Sequence, residues 1–116
     1  MKAVLLISHG SRSPKTKKEV KDLVKILKQK TKIKIFEYAF LEIEHPSIPE
    51  GIADCVQQGA RRIIILLNFL NSGRHVDIDV PRIVHETMKT YPKVSFKITK
   101  PVGQHPKIAA LFSEMI

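Results

Sequence analysis

Residues 3–14 read AVLLISHGSRSP, and this stretch decides the fold. Its first five residues form a continuous apolar run of strand length, which is typical of a parallel strand covered on both faces. Ser13 and Pro14 then indicate a helix start, because Ser is a good N-cap and Pro is tolerated at the first helical position. The stretch therefore predicts a buried strand that passes through a short polar turn into a helix.

The same alternation continues to the end of the chain. The first helix carries one apolar stripe at i, i+3, i+4 and i+7, made of Val20, Leu23, Val24 and Leu27. Further strands are predicted at residues 33–41, 62–67 and 94–99, with helices that start near Ser47, Asp79 and Pro106. The order predicts an α/β three-layer sandwich: a four-stranded, mostly parallel sheet with helices on both faces. We expect residues 1–116 to form a single domain.

The positive charge is concentrated in the first third of the chain. The net charge is +9, and residues 1–35 contain eleven Lys and Arg against Glu19 and Asp22, so the remaining residues balance. Such an asymmetry indicates an anionic partner. The solvated outer face of a lysine-rich helix explains it equally well. The sequence leaves both interpretations open.

The sequence contains no evident targeting or membrane segment. The longest apolar run, residues 63–67, is too short to cross a bilayer, and the first residues lack the pattern of a signal peptide. Cys55 is the single cysteine, so neither a disulfide framework nor a thiolate metal cluster is expected. We therefore expect a cytoplasmic protein without a membrane partner. Its small size favours pairing with a second copy.

Histidines gather where the predicted strands end. Four of the five come shortly after a strand (His9, His45, His75 and His105), whereas His85 lies within a helix. Open parallel sheets bind ligands beyond the carboxyl ends of their strands, so these side chains are expected at one edge. Neutral imidazole binds divalent cobalt, nickel, iron and zinc, and it accepts protons near neutral pH. His9 and His75, with Glu42 after the second strand, are therefore candidate ligands or bases of an open site.

For each candidate residue, a purely structural role is the alternative to a functional one. His9 could hydrogen-bond to the backbone of its tight turn, and Glu42 could be a solvated residue that leaves its strand. His45 and His105, each directly before a proline, could shape their turns, and the sequence does not decide whether either has a further role. Asp79 is predicted to be the N-cap of the third helix. A closed structural zinc site is not expected, because no HExxH or paired-cysteine spacing is present.

Three segments resemble the signatures of the class II tetrapyrrole chelatase family in order and spacing. They are His9-Gly10-Ser11-Arg12, then Ala39-Phe40-Leu41-Glu42 with Pro46-Ser47-Ile48, then Phe69 to His75 with Asp79-Val80-Pro81. The resemblance is to the short archaeal-type members, the sirohydrochlorin cobaltochelatases and their nickel-inserting relatives. Asn68 departs from the pattern, since proline is common at that position.

The resemblance implies one chelatase-like lobe that inserts Co²⁺ into sirohydrochlorin with release of two protons, on the anaerobic, early-cobalt route to cobalamin. Insertion of Ni²⁺ or Fe²⁺ by the same site is the alternative. His9 and His75 are the implied catalytic and metal-binding pair, with Glu42 as a helper. No cofactor beyond the metal substrate is expected. Larger relatives hold two such lobes around the active site, so a homodimer is implied.

Binding of the substrate carboxylates is expected near the first helix and in the third signature. Ser11, Arg12 and Lys15 lie close to the positive N-terminus of the first helix. The third signature contributes Ser72, Gly73 and Arg74. The strong positive charge also favours encounter with a polycarboxylate.

Two other classes of function compete with this interpretation. A His-Gly pair after the first strand superficially resembles histidine phosphatases, but Ser8 stands where those enzymes have Arg. The lysine cluster favours a basic module that binds tetrapyrrole, metal or nucleic acid. Nucleic acid is the weaker partner, because no recognised motif is present and aromatic residues for base stacking are few.

Overall fold

Strands and α-helices alternate along the chain in the computed structural model, which describes residues 1–116. The strands are β1 (Lys2–Ser8), β2 (Ile35–Phe40), β3 (Arg62–Leu67) and β4 (Ser95–Pro101). The α-helices are α1 (Pro14–Thr31), α2 (Ile48–Gln57), α3 (Val80–Met88) and α4 (Ile108–Glu114). A π-helix (His75–Asp79) runs directly into α3, and a 3₁₀ helix (Val102–Gln104) lies between β4 and α4. The predicted order of elements is confirmed.

All four strands are parallel, in the order β2-β1-β3-β4. β1 lies between β2 and β3, and Ile7 pairs with Ala39 on one side and with Leu67 on the other. The carboxyl ends of these three strands are therefore level along one edge of the sheet. Parallel pairing requires a crossover between neighbouring strands, which α1, α2 and α3 provide.

Two helices, α2 and α3, cover one face of the sheet. Leu5 and Ile7 of β1 pack there with Ile52 of α2 and Val84 of α3, and all four side chains are fully buried. Burial of an aliphatic side chain of this size stabilises the folded chain by about 1.5–3 kcal/mol. This face is therefore the main hydrophobic core.

A single helix, α1, covers part of the opposite face. Val20 and Val24 of α1 are buried with Phe36 and Phe40 of β2, as the apolar stripe predicts. Leu23, which was expected in the same stripe, is instead 38% exposed. Its exposure shows that α1 leaves one flank of its apolar surface without a covering element.

On this side of the sheet, β3 and β4 have little cover. Ile64 and Leu66 of β3 are only partly buried, and Lys97 of β4 is exposed. The predicted last helix, α4, is present, but it buries none of its residues. The molecule is correspondingly elongated, with dimensions of 46, 32 and 29 Å.

The helix starts differ in how they are capped. Ser47 and Glu50 form the predicted capping box of α2: Glu50 N donates to Ser47 Oγ over 3.3 Å, and Ser47 N donates to Glu50 Oε1 over 2.7 Å. The bond from the Ser47 backbone, with a further contact from His45, lowers the pKa of Glu50 from 4.5 to about 2. Ser13 precedes α1 as predicted, but its side chain makes no cap hydrogen bond.

Membrane insertion through a helix has no support in this fold. No helix combines the length and the apolar composition that crossing a bilayer requires.

Candidate functional site

His9, Glu42 and His75 come together at the carboxyl edge of the sheet. One potential ligand atom from each residue lies within 4.8 Å of the other two. His9 Nε2 is 2.7 Å from Glu42 Oε1, and the centres of the two imidazole rings are 5.1 Å apart. All three side chains are about half exposed. The structure thus brings together the three residues that the sequence singled out, while their chemical roles stay predictions.

Backbone hydrogen bonds beyond β1 and β2 hold His9 beside Glu42. Leu41 N donates to Ser8 O over 2.9 Å, and Glu42 N donates to His9 O over 3.1 Å. Gly10 follows with a φ of +106°, and a Cβ atom there would lie 1.9 Å from Glu42 O. Because an L-residue has both an unfavourable φ and no space at this position, the turn after β1 requires glycine.

Asp79 holds His75 in place. His75 Nδ1 lies 2.9 Å from Asp79 Oδ2, and Arg82 Nη2 lies 3.7 Å from the other carboxylate oxygen. A carboxylate only accepts, so the ring donates from Nδ1 and Nε2 stays free to bind a cation or a proton. Asp79 directly precedes α3 as predicted, but its side chain makes no cap hydrogen bond and contacts His75 instead. Sequence reasoning missed this pair, although the i, i+4 spacing of His75 and Asp79 was an available signal.

The π-helix replaces part of the long loop that was expected between β3 and α3. Val80 N donates to His75 O, which is the i to i+5 pattern of a π-turn. The backbone therefore enters α3 without a break, and Asp79 is already helical at a φ of −65°. Single π-turns are frequent at functional sites. Here the turn carries His75 at its first residue and Asp79 at its last.

Asn68 joins the end of β3 to the end of β1. Its N–H donates to Ile7 O over 2.8 Å, and its side-chain Nδ2 donates to Ser8 Oγ over 3.0 Å. Ser8 is buried, so its hydroxyl needs such a partner. In the sequence, Asn68 is notable only as a departure from a family pattern. A polar residue directly after the apolar run at residues 63–67 was the signal for this role.

The ligand atoms of His9, Glu42 and His75 suit an open site for a divalent ion such as Co²⁺ or Fe²⁺. Two imidazole nitrogens and one carboxylate oxygen are typical ligands of such ions, and three protein ligands leave coordination positions free. The 2.7 Å contact between His9 Nε2 and Glu42 Oε1 requires a proton between the two atoms. A cation that binds both atoms must displace that proton. The arrangement is therefore able to exchange a proton for a metal ion.

A basic pocket of about 530 Å³ is formed by the residues that follow His9 and Glu42 in the chain. Of the predicted carboxylate-binding residues, Ser11 and Arg12 line it, whereas Lys15 does not. Three further lysines of α1 complete its wall: Lys17, Lys18 and Lys21. In the sequence these lysines contribute to the positive charge of the first third of the chain, but they are not among the predicted binding residues. The i, i+4 spacing of Lys17 and Lys21 on one helix face was the available signal.

Two loops meet at this pocket. Ser11 N, after β1, donates to Glu44 Oε2, after β2, over 3.2 Å. Ile43 between Glu42 and Glu44 has a φ of 73°, which is a rare conformation for a β-branched residue, and its side chain is 55% exposed. Strained backbone of this kind concentrates at functional sites.

Three other residues of the third signature, Ser72, Gly73 and Arg74, directly precede His75 in the chain but lie outside the cluster. Ser72 lines a separate cavity with Asp77 and Gln104. Gly73, with a φ of 156°, and the exposed Arg74 lead into the π-helix. The substrate-binding roles of these residues stay predictions.

The other histidines make local contacts instead of joining the cluster. His45 Nδ1 lies 2.7 Å from Glu50 Oε1 at the start of α2. His105 Nδ1 accepts a hydrogen bond from Lys107 N over 3.0 Å just before α4. His85 is exposed on α3. Only two of the five histidines therefore form the site.

Known proteins resemble this chain over nearly all its length. A family model named CbiX matches residues 3–116. A chloroplastic sirohydrochlorin ferrochelatase from Arabidopsis thaliana is 34% identical over 113 residues, which are 97% of this chain and 50% of that protein. A sirohydrochlorin cobaltochelatase from Methanococcoides burtonii is 29% identical over 119 residues, which cover 96% of this chain and 91% of that protein.

A solved structure shows the same fold. The sirohydrochlorin chelatase SirB from Bacillus subtilis subspecies spizizenii, crystallised with cobalt, superposes with a TM-score of 0.88 at 29% identity. The superposition covers 98% of this chain and 49% of SirB. The chain thus spans about half the length of SirB and of the Arabidopsis protein, but most of the length of the Methanococcoides protein.

Proposed function

The chain belongs to the CbiX family, and on that premise we propose that it is a chelatase that inserts a divalent metal ion into sirohydrochlorin. The reaction exchanges two pyrrole protons of the free tetrapyrrole for one M²⁺ ion. The family match over nearly the whole chain supports the proposal, as do relatives named for iron and cobalt insertion into this tetrapyrrole.

The His9–Glu42–His75 cluster is the observation that carries the proposal. Metal insertion needs ligands that hold a cation without enclosing it and bases that remove two protons from the ring. Two imidazoles and one carboxylate within 4.8 Å supply both kinds of group. Their half-exposed position at the edge of the sheet leaves room for a large planar substrate.

In the proposed reaction, His9 and His75 hold the incoming ion through ring nitrogens. Asp79 accepts from His75 Nδ1, so Nε2 is the nitrogen that faces the ion. The ion displaces the proton between His9 and Glu42 to water, and the Glu42 carboxylate is then able to accept a pyrrole proton. The two pyrrole protons pass to bases at the site and then to water, and the metal keeps its charge of +2.

The basic pocket is assigned to the carboxylates of the substrate. Sirohydrochlorin carries eight carboxylates, and Arg12, Lys17 and Lys21 supply positive charge in the pocket that follows His9 and Glu42 in the chain. Lys18 is paired with Asp22 over 2.9 Å and is therefore less available. Exposed lysines attract a polyanion mainly at low salt, so substrate encounter should slow as ionic strength rises.

Cobalt is the proposed physiological ion. The Methanococcoides cobaltochelatase supports this choice, because it resembles this chain over most of its own length. Iron is the second candidate, since the Arabidopsis relative is a ferrochelatase at 34% identity. Imidazole and carboxylate ligands suit both ions. We also propose that two copies of the chain form a homodimer, because SirB is about twice as long as this chain.

The test follows the visible spectrum of sirohydrochlorin after anaerobic addition of Co²⁺, Ni²⁺ or Fe²⁺. We expect acceleration over the uncatalysed reaction, fastest with Co²⁺, and its loss in the His9→Ala/His75→Ala double variant. His85→Gln is the matched control, because this exposed histidine of α3 lies outside the cluster. Full activity in the double variant would refute the assignment of the site. Tetrapyrrole binding without acceleration by any ion would refute the chelatase proposal in favour of a binding module.

A further inference from the structure

Ile43 is the central residue of a tight turn between Glu42 and Glu44. Glu44 N donates to Glu42 O over 2.8 Å, which is the i to i+2 hydrogen bond of a γ-turn. The φ of Ile43 is 73°, and γ-turns with a positive φ are rare and strained. The branched Cβ of isoleucine makes such a φ especially unfavourable. The turn therefore stores backbone strain that a residue suited to positive φ would relieve.

The other positions with a positive φ carry residues that tolerate it better. Gly10, Gly59 and Gly73 are glycines, and Lys32 is an unbranched residue in the left-handed conformation that ends α1. Ile43 is the one β-branched residue among them. The residue type at position 43 thus runs against the local backbone preference, which indicates that isoleucine is favoured there by another interaction.

Packing within the chain does not supply that interaction. The side chain of Ile43 is 55% exposed and belongs to neither hydrophobic cluster of the sheet. Its Cβ lies 3.7 Å from the place where a Cβ atom would stand on Gly10, the residue directly after His9. Single exposed apolar residues are common on proteins, but strained backbone persists mainly at functional sites. The combination therefore points to a contact with a ligand.

Ile43 adjoins both the His9–Glu42–His75 cluster and the basic pocket. It directly follows Glu42 in the chain, and it lines the pocket together with Arg12 and three lysines of α1. Apart from Pro14, it is the only apolar residue among the eight that line this pocket. An aliphatic side chain thus stands next to a candidate metal ligand on one side and to a set of cations on the other.

This order matches the chemistry of a tetrapyrrole with carboxylate side chains. Its macrocycle is a flat apolar surface with nitrogens at the centre and carboxylates at the rim. Cations attract the rim, and metal ligands act at the centre, but neither group excludes water from the face of the ring. An aliphatic side chain does so, and the apolar area removed from water on both partners favours binding.

We propose that Ile43 packs against the face of the tetrapyrrole ring and is retained in its strained turn for that contact. The carboxylates at the rim then meet Arg12 and the lysines, while the ring nitrogens face the cluster. Isoleucine at this position lowers the stability of the free chain and raises its affinity for the tetrapyrrole. The inference rests on the proposed function and assigns a further contact to its substrate.

Three variants separate the apolar contact from the shape of the turn. Ile43→Asn keeps a residue that tolerates positive φ and leaves the charge of the pocket unchanged, but it removes the aliphatic surface. Ile43→Leu keeps aliphatic surface without the branch at Cβ. Ile26→Asn is the matched control, because Ile26 is 50% exposed on α1 and does not line the basic pocket. Circular dichroism checks that all three variants fold.

Titration of sirohydrochlorin without metal, followed by its absorbance, gives the Kd of the tetrapyrrole. We expect Ile43→Asn to raise this Kd about 10-fold, and Ile43→Leu and Ile26→Asn to stay within about twofold of the wild type. In the insertion reaction, the KM for sirohydrochlorin should rise with the Kd while kcat stays within about twofold, because the same contact exists before and during metal transfer. Equal Kd values for Ile43→Asn and the wild type would overturn the inference.

Urea denaturation and cobalt titration exclude a merely structural role. If Ile43 only held the turn in shape, Ile43→Asn would lower the urea midpoint and the affinity of the cluster for cobalt. We expect a midpoint no lower than that of the wild type, because strain is relieved, and an unchanged cobalt affinity in the absence of tetrapyrrole. A decrease in either quantity would overturn the inference. A change in molecular mass by light scattering would place Ile43 at a contact between copies and would overturn it as well.

Salt separates the apolar contact from the cations. Attraction by exposed lysines weakens as ionic strength rises, whereas burial of apolar surface does not. The ratio of the Kd of Ile43→Asn to that of the wild type should therefore be the same at low and high salt, and a ratio that falls towards one would contradict an apolar contact. Tetrapyrrole binding that depends on Ile43, but without metal insertion, would refute only the chelatase proposal. Metal insertion with an unchanged Kd in Ile43→Asn would refute only this inference, and a wild type that does not bind sirohydrochlorin would refute both.

Discussion

His75 Nδ1 lies 2.9 Å from Asp79 Oδ2, and both residues belong to the π-helix that continues into α3. The carboxylate engages Nδ1 of the ring and leaves Nε2 free. Asp79 is thus a positioning residue for His75. Such outer partners of a metal-binding histidine raise affinity and orient the ring.

Replacement of Asp79 should weaken cation binding without unfolding the chain. We expect Asp79→Ala to lower cobalt affinity or insertion rate about 10- to 100-fold. Asp79→Asn should recover part of the loss, because its amide oxygen still accepts from Nδ1. Cobalt titration by visible absorption and insertion kinetics measure both effects. Equal losses in the two variants would contradict the positioning role.

Replacement of Glu42 should lower cobalt binding and the rate of metal insertion more than it lowers the stability of the fold. Glu42→Gln removes the carboxylate that contacts His9 over 2.7 Å, so cobalt binding and proton removal should both weaken. A decrease of about 10²-fold or more in insertion rate is expected for loss of a base. Glu86→Gln is the control, because Glu86 lies on the surface of α3 and contacts only Lys89 over 3.4 Å. Equal rates in the two variants would contradict the role of Glu42.

Gly10 and Gly59 have nearly the same backbone conformation but different surroundings, so together they test the close approach of the two loops at Gly10. Their φ values are +106° and +107°, but a Cβ at Gly10 would clash with Glu42 O, whereas none would clash at Gly59. Gly59→Ala should cost about 1–2 kcal/mol of unfolding free energy, from backbone strain alone. Gly10→Ala should cost more than about 3 kcal/mol, because it also separates the two loops that carry His9 and Glu42. Urea denaturation measures both, and equal costs would contradict the close approach.

Glu50 should make stability depend on pH in the acid range. The Ser47 backbone bond and the His45 contact lower its pKa to about 2 in the folded chain, against 4.5 ordinarily. The ionised carboxylate therefore stabilises the fold fully above pH about 4.5, and this contribution is lost as pH falls towards 2. Glu50→Gln should lower the urea midpoint at pH 6 but have progressively less effect from pH 4.5 downwards. A difference that is constant with pH would contradict the shift.

Cys55 should be unreactive in the folded chain. Burial, with the negative charges of Glu37 and Asp54, raises the pKa of its thiol to about 12. At pH 8 the thiolate is nearly absent and the side chain is fully buried. Iodoacetamide should therefore label Cys55 only after denaturation in urea, as mass spectrometry will show. Labelling of the native chain at the denatured rate would contradict this burial.

The sequence predicts the order of elements and the edge of the sheet that bears the site, because both depend on local patterns. A fully apolar run such as residues 63–67 identifies a strand without knowledge of its neighbours. His9, Glu42 and His75 follow such strands, and parallel pairing alone then brings them to one edge.

The parts that the sequence does not predict depend on contacts between segments or on unusual backbone. Asp79 looked like a helix cap, because an ordinary loop was expected where the chain forms a π-turn. Asn68 bonds to Ser8 sixty residues away, and no local pattern reports such a partner. The stripe of α1 predicted burial of Leu23, but no other element of the chain covers that flank, and a local pattern does not reveal which flank of a helix stays uncovered.

The central place of β1 has a consequence for the order of folding. His9 and Glu42 meet through the pairing of β1 with β2, and His9 and His75 through the pairing of β1 with β3. Neither pairing is local in sequence, so both carry a loop-closure cost before the ligand atoms can approach one another. Tight capture of a cation by all three residues should therefore begin only after β1 has paired on both sides. In a refolding experiment, the appearance of the cobalt absorption band would then report when the sheet is complete. This band should appear later than the helical signal in circular dichroism.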